Sequence, residues 1–300
     1  MEEYLGIDVG GTNVKIGIVN KNGELLKKKK HPTASLQNKK DFIKTFVSII
    51  GKTLKKNPQI RKVGIAVPGM ISKDRLSTIF MANVPEFNNV PLIKILKKSH
   101  PNISFFLEND ANAAAIGELH FAKTKVPKDF AFITLGTGLG GAAVLNGNIF
   151  KGGNGNTMEV GHIMTSNGKT AEDNIGKKAL ISLALKQIKE GGKTKLKAND
   201  LTAKDIVEAA LKDDPVAIEI FKKAGSILGE SIVSTIRILD VNTIFIGGGV
   251  SKTFEMIEKT MYEVLNSRLP KYYLNGLDIR LATLGNDAGI IGAAALCFKE

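Results

Sequence analysis

Apolar and polar positions along this chain fall into one pattern that occurs twice. YLGIDVGGTNVKIGIVNKNGEL at 4–25 and FAFITLGTGLGGAAVLNGNIF at 130–150 share one layout: apolar run, glycine-rich turn, second apolar run, Asn-Gly turn, third short run. Strands joined by tight turns account for both copies, because Asn-Gly supplies the positive φ that a hairpin turn needs at its centre. Between and after the copies the period changes. Phe42, Phe46, Ile49, Ile50 and Leu54 share one face of a helix over 39–57, which Pro58 stops. Residues 62–67 and 103–107 read as buried strands, and 91–99 and 112–122 as helices. The first half is therefore β-β-β-α-β-α-β-α, the order of a mixed sheet covered by helices.

The second half repeats the plan. A Gly/Asn-rich loop at 152–155 follows its meander, and helices are predicted over 176–190, 203–212 (capped by Thr202), 215–239 and 252–267. NTIFIGGGVS is a buried strand running into three glycines, 277–284 is a last strand, and 286–298 is a helix of small residues suited to close packing. Residues 191–200 are polar and read as an exposed loop. The predicted fold class is α/β, in two lobes with mixed sheets flanked by helices. Lobes over 1–117 and 118–285 are expected, with 286–300 returning to the first.

Composition adds bounds. Three hundred residues suffice for two medium domains. No apolar stretch approaches the ~20 residues of a membrane span, no leader segment precedes the first strand, and Cys297 has no partner for a disulfide. These features predict a cytoplasmic protein with no membrane partner. The net charge is +13, with lysine clusters at 27–30, 39–40, 55–56, 97–98 and 222–223. With no Trp and four Tyr there is little to stack bases. The clusters read as a solvated surface that attracts anionic substrates, and no nucleic-acid partner is expected.

The two glycine turns hold the candidate chemistry. A glycine turn between strands presents N–H groups without obstructing side chains, which suits phosphate oxygens. Asp8 ends the first strand before Gly10, Gly11, Thr12 and Asn13, where a carboxylate can hold magnesium through water. Thr137 and Gly138 occupy the second turn; Gly247, Gly248 and Gly249 would leave room for a purine, although on their own they read as a strand-to-helix turn packed on glycines. No Gly-Lys-Ser/Thr follows the glycines, so this is not a Walker A loop, and no helix follows as a dinucleotide fingerprint requires. Glu108-Asn109-Asp110-Ala111-Asn112 lies between a strand and an alanine-rich helix. One of its polar side chains is expected to cap that helix and a neighbouring aspartate to act as general base. Glu159 and His162, three apart, suit sugar hydroxyls better than a metal, since two ligands do not make a site.

LGIDVGGTNVKIGIV, VGIAVPG, NVPEFNNVPL, FLENDANAAAIGE, LGTGLGG, EVGH and TIFIGGGVS occur in the order of the ROK family of sugar kinases and repressors, which the whole chain resembles. The resemblance implies the two-lobed, actin-like (ribonuclease H-like) ATPase fold and an assembly of two or four copies. It implies an ATP-dependent hexokinase of the glucokinase type, using Mg2+. Asp110 matches the catalytic base, and Gly69, Asn83, Asn109, Glu159, His162 and Glu172 match sugar-binding positions. Gly10–Asn13, Lys15, Thr137 and Gly138 match the phosphate loops, with Gly248 and Gly249 on the adenosine side. Family kinases commonly bind zinc through the motif histidine and three cysteines; residues 163–175 contain no cysteine, so no zinc site is expected. Met158 stands where the family often has glycine, and Asp173 competes with Glu172 for the last sugar position.

The implied reaction is phosphoryl transfer from ATP to the 6-hydroxyl of a hexose. An N-acetylglucosamine or N-acetylmannosamine kinase and a non-catalytic sugar-responsive regulator are the alternatives. Family repressors place a DNA-binding domain ahead of the kinase-like part, and here the first phosphate loop already begins at Asp8.

Overall fold

The computed structural model describes residues 2–37, 41–249 and 253–298. Lys39 and Lys40, the predicted helix starts at 39 and 252, and Val250 and Ser251 after the third glycine cluster lie outside the described residues.

The opening meander is β1 (Glu3–Val9), β2 (Asn13–Asn20) and β3 (Leu25–Pro32). Gly23 takes φ 80° in its second turn, where Asn20 Oδ1 accepts the N–H groups of Asn22 and Glu24 at 2.9 and 3.0 Å. α1 (Thr33–Gln37) leads to α2 (Phe42–Lys56), capped by the Asp41 carboxylate on Lys44 N. α2 buries Phe42, Phe46, Ile50 and Leu54, with Ile49 half-buried at their flank. Then come β4 (Lys62–Val67), β5 (Met70–Ile71), β6 (Thr78–Phe80), α3 (Leu92–Ser99), β7 (Ser104–Asn109) and α4 (Asp110–Phe121).

The second copy of the pattern forms β8 (Phe130–Leu135), β9 (Leu139–Leu145) and β10 (Asn148–Ile149). α5 (Ala171–Ile175), α6 (Lys177–Lys189), α7 (Ala203–Ala210) and α8 (Pro215–Leu239) follow. Thr202 and Asp205 close a reciprocal capping box on α7. Asp214 caps α8, whose first residue is Pro215, and Asp240 ends it at φ 52°. The chain finishes with β11 (Thr243–Gly248), α9 (Phe254–Arg268), α10 (Lys271–Leu274), β12 (Asp278–Leu281) and α11 (Ala288–Ala295).

The first sheet has the order β3-β2-β1-β4-β7 and the second β10-β9-β8-β11-β12. In the first, β1 runs antiparallel to β2 and parallel to β4, which is parallel to β7. In the second, β11 is parallel to both β8 and β12. The two mixed sheets flanked by helices are those the sequence predicts. The pair β5–β6 and the short helices α1, α5 and α10 are additions. Each spans two to five residues, too few to show a period. Tertiary bonds hold β6: Thr78 N donates to Val90 O at 3.0 Å, and Thr78 Oγ1 to Phe87 O.

Two compact units result. The first is Met1–Lys128 with Ala142–Thr157 and Asn286–Glu300; the second is Asp129–Gly141 with Met158–Gly285. The expected boundary at 117 falls inside α4, an unbroken helix to Phe121, so the division comes later in the chain. Residues 142–157 also group with the first unit, a return that strand pattern alone does not reveal. Cys297 is buried, and burial pushes its thiol up to about 12. No helix among the described residues is long and apolar enough to cross a membrane.

In the first unit α11 lies directly on the sheet. A Cβ on Gly6 of β1 would collide with Ile290 O, and one on Gly64 of β4 with Ala293 O. Gly292 in turn meets the backbone of Ala113 in α4, and Ala66, Ala113 and Ala293 form a buried cluster there. Backbone atoms block each added methyl, so no side chain can move aside. Gly64→Ala is expected to cost about 1–3 kcal/mol or more, read as a lower urea midpoint at unchanged slope. Gly153→Ala, with nothing within 4 Å, is expected to stay within about 0.5 kcal/mol. Equal midpoints for the two variants would refute the close approach.

Candidate functional site

In the first unit the turn between β1 and β2 closes on itself. Gly10 N–H donates to Asn13 O at 2.9 Å, and Thr33 pins the turn from outside through Thr12 O (2.9 Å) and Gly10 O (2.6 Å). The Gly10 amide is therefore spent on the turn. Gly11 and Thr12 are exposed, and their N–H groups have no backbone partner among the described residues. Gly11 rests against Asn83, where a Cβ would come within 2.8 Å of the Asn83 Cβ. Asp8 pairs across the strands with Lys15, Nζ to Oδ2 2.7 Å. A Cβ on Gly289, in the first turn of α11, would lie 2.6 Å from the Asp8 carboxyl carbon, so this glycine makes room for the carboxylate.

The junction of β7 and α4 divides its work among three residues. Asn109 caps the helix, accepting from Ala111 N at 2.9 Å and Asn112 N at 3.2 Å, and donates from Nδ2 to Gly69 O at 3.2 Å. Gly69 has φ 98°, and a side chain there would strike Phe80 O. Asp110 begins α4, with Oδ1 accepting from Ala111 N at 2.8 Å. Beneath them Glu108 is buried and accepts from Asn109 N (3.0 Å), Asn112 Nδ2 (3.1 Å) and Arg75 Nε (3.2 Å), with Lys151 Nζ at 3.8 Å. Asn156 ties the 152–157 loop to β5 through paired 3.0 Å bonds with Ile71 N and O.

Glu108, Arg75 and Asn156 are not among the residues that the sequence pattern singles out. A carboxylate ending the apolar strand ISFFL is a signal that could have marked Glu108. Arg75 and Asn156 belong to contacts of a hairpin that has no readable period.

In the second unit the β8–β9 turn is closed the same way, Gly136 N to Gly138 O at 2.9 Å, leaving Thr137 exposed. Glu172, in the first turn of α5, accepts from Leu139 N at 2.9 Å and packs on Gly138, where a Cβ would lie 2.9 Å from its carboxyl carbon. Asp173 instead bonds the capping Thr170, Oγ1 to Oδ2 2.7 Å and N to Oγ1 3.1 Å. Between the two acids, Glu172 is the one that faces the turn. His162 Nε2 stands 3.9 Å from Glu159 Oε2 across the helical turn Val160–His162. Burial raises the Glu159 pKa; His162 opposes the rise and Glu172 adds to it.

Met158 holds φ 63°, a left-handed conformation that favours glycine, which explains the glycine common there in the resembling family. The segment 163–175 is closed by side-chain bonds. Thr165 Oγ1 donates to Asn167 Oδ1 at 2.9 Å, and Asn174 Nδ2 donates to Thr165 Oγ1 at 3.0 Å and Thr170 O at 2.9 Å. Gly248, φ 85°, lies on Leu135 at the end of β8 by the register of β11 and β8, and Gly249 has nothing within 4 Å.

The predicted residues thus gather within each unit. Asp8, Gly10–Asn13, Lys15 and Asn83 form one cluster of the first unit, and Gly69, Asn109 and Asp110 another. Thr137, Gly138, Glu159, His162 and Glu172 assemble in the second, with Gly248 one strand away. Among the described residues no three His, Cys, Asp or Glu side chains form a metal cluster. Magnesium needs no such cluster, because substrate phosphates and waters complete its shell around one or two carboxylates. Asp8 offers one such carboxylate, with its Oδ2 held by Lys15 Nζ at 2.7 Å.

The chain has relatives along its whole length. A glucokinase of Halalkalibacterium halodurans is 31% identical over 316 residues, 99% of this chain and 95% of its own. An N-acetyl-D-glucosamine kinase of Haemophilus influenzae is 26% identical, with 98% of each chain covered. A xylose repressor of Caldicellulosiruptor bescii is also 26% identical, over 99% of this chain and 78% of that protein. Among solved structures, a proposed sugar kinase from Cytophaga hutchinsonii superposes with TM-score 0.89 at 39% identity, over 98% of this chain and 99% of that one. A ROK family glucokinase from Streptomyces griseus, in complex with glucose and AMPPNP, superposes with TM-score 0.85 at 26% identity, over 99% and 100%. The model of the ROK family itself matches residues 4–300, and on that match the chain belongs to the ROK family.

Proposed function

We propose that this chain is an ATP-dependent kinase that phosphorylates a hexose, glucose first among candidates, at its 6-hydroxyl. The observation that carries the reading is the division of labour at the start of α4. Glu108 anchors the junction from below and Asn109 caps the helix, which fixes Asp110 as the first residue of α4 with its Oδ1 on Ala111 N. A carboxylate placed this way suits the acceptance of a hydroxyl proton as that oxygen attacks phosphorus. A regulator that only senses sugar has no need of it. The Streptomyces griseus relative, bound to glucose and an ATP analogue, supports both the acceptor and the donor.

The first unit would supply Asn83, Asn109 and the Gly69 backbone to sugar hydroxyls, and the second Glu159, His162 and Glu172. The N–H groups of Gly11, Thr12, Thr137 and Gly138, the Thr12 hydroxyl and Lys15 would hold the triphosphate, with Gly248 and Gly249 on the adenosine side. Donors fixed before the reaction stabilise charge without reorganising. Magnesium, held by Asp8 through water, would neutralise charge on the phosphates.

An ADP-release assay across glucose, mannose, fructose, N-acetylglucosamine and N-acetylmannosamine is expected to show turnover with glucose. Preference for an acetamido sugar would replace the acceptor, and no turnover with any sugar would refute the kinase. Asp110→Asn is expected to retain glucose binding while kcat falls ~100- to 10,000-fold; near-normal kcat would remove Asp110 from the chemistry.

Glu159 gives a prediction with a defined sign. Its folded pKa is raised above 4.5, so the folded protein holds this proton more tightly than the unfolded chain. Its contribution to stability therefore falls as pH rises from about 4.5 through the raised value, and stays low at neutral pH. Glu159→Gln is expected to raise Tm at pH 7 while raising the KM for sugar. A lowered Tm, or an unchanged sugar KM, would refute the role.

A further inference from the structure

The positive charge is not spread along the chain. Residues 25–62 hold twelve Lys and Arg against one acid, Asp41, a net +11 of the whole chain's +13. This stretch includes β3, α1, α2 and the start of β4.

β3 is an edge strand. Its consecutive lysines alternate between the two faces of the sheet. Lys27 and Lys29 pair in register with Ile18 and Ile16, whose side chains join the core under α2. Lys28 is on the opposite face and pairs with Asp287. From across the sheet edge α2 brings Lys52, Lys55 and Lys56 to the same groove, about 780 Å3, floored by Ile16, Ile18 and Ile49. No carboxylate lines it. Lys28 also lines the groove and is paired with Asp287, whereas among the described residues the other five groove lysines (27, 29, 52, 55, 56) make no ion pair.

Lysines on an edge strand protect against unwanted strand pairing. That accounts for β3. It does not account for three more lysines on α2, a helix with no acidic residue to offset them. Ammonium groups gathered at one groove repel one another and favour an anionic occupant.

We propose that this groove docks an extended acidic segment of a partner protein, added to the first sheet as a strand beside β3. Three features of the groove match such a segment at once. The outer backbone groups of β3 can continue the ladder. Successive acidic residues alternate between faces as the lysines do, so each meets a lysine on its own side. The α2 lysines and the isoleucine floor enclose one of those faces. A phosphate polymer would use the ammonium groups alone, and among the described residues His31 is the single ring lining the groove, too few for successive bases to stack on. None of the lysines involved belongs to the sugar or phosphate sets, so the proposal stands apart from the kinase reading.

The probe is a fluorescein-labelled peptide of ten glutamates, followed by anisotropy at about 0.1 M salt, where exposed charges are screened beyond roughly 10 Å. The full chain is expected to bind it. Combined Lys27→Gln, Lys29→Gln, Lys52→Gln and Lys55→Gln is expected to weaken binding at least about tenfold, a loss of about 1.4 kcal/mol, with an unchanged circular dichroism spectrum and unchanged sugar phosphorylation. A peptide with the same ten glutamates interrupted by prolines is expected to bind at least about tenfold more weakly, because proline cannot donate to a ladder. Equal binding of the proline peptide, no loss in the lysine variant, or tighter binding of polyphosphate or oligo-dT of matched charge would each overturn the proposal.

Discussion

The first unit depends on one close approach, that of α11 to a face of the sheet from which side chains are missing. Gly6 and Gly64 let the helix backbone approach the strands, and Gly292 lets α4 approach the helix in turn. Two carboxylates to which the proposed reaction gives roles are set by this contact. Asp8, at the end of β1, lies beside Gly289 in the first turn of α11. Asp110 begins α4, the helix that Gly292 meets at Ala113. The last helix of the chain therefore fixes how the first strand and the fourth helix present their acids. Close-packed backbone is stiff, and stiffness is what a constellation of reacting groups requires.

A second device recurs in both units. Each glycine turn uses its first amide to close on itself, Gly10 to Asn13 and Gly136 to Gly138. A turn that holds its own shape leaves its later amides for a ligand. In the second unit the turn is also coupled to Glu159, since Glu172 bonds Leu139 N and adds to the rise that burial gives the Glu159 pKa. The segment that carries Glu172 is held by Thr165, Asn167, Thr170 and Asn174, whose mutual hydrogen bonds close it without a cysteine.

Periodicity made the long elements legible. β4 and α8 occupy the ranges expected, and α2, α3, α6 and α9 differ from theirs by a few residues at the ends. Candidate site residues were legible where they lie beside a strand end or glycine turn, as Asp8, Asn109, Asp110 and Thr137 do. The anchors were not. Glu108 looks like one more polar residue in ENDAN until Arg75 and Asn112 are found around it. Arg75 stands in a connection whose strands are two and three residues long, and such strands have no period to read.

Local order along the chain is enough to specify two mixed sheets, twin glycine turns and family membership, because each rests on neighbours in sequence: alternation, caps and Gly φ. Three features needed the folded chain. Which acid of Glu172 and Asp173 turns toward the glycine loop depends on a contact with Gly138, 34 positions away. The return of 142–157 to the first unit depends on bonds such as Asn156 to Ile71. The lysines of β3 and α2, read in sequence as scattered solvated clusters, become one groove only when strand and helix stand side by side. In each case residues far apart along the chain share a space, and no local propensity encodes that.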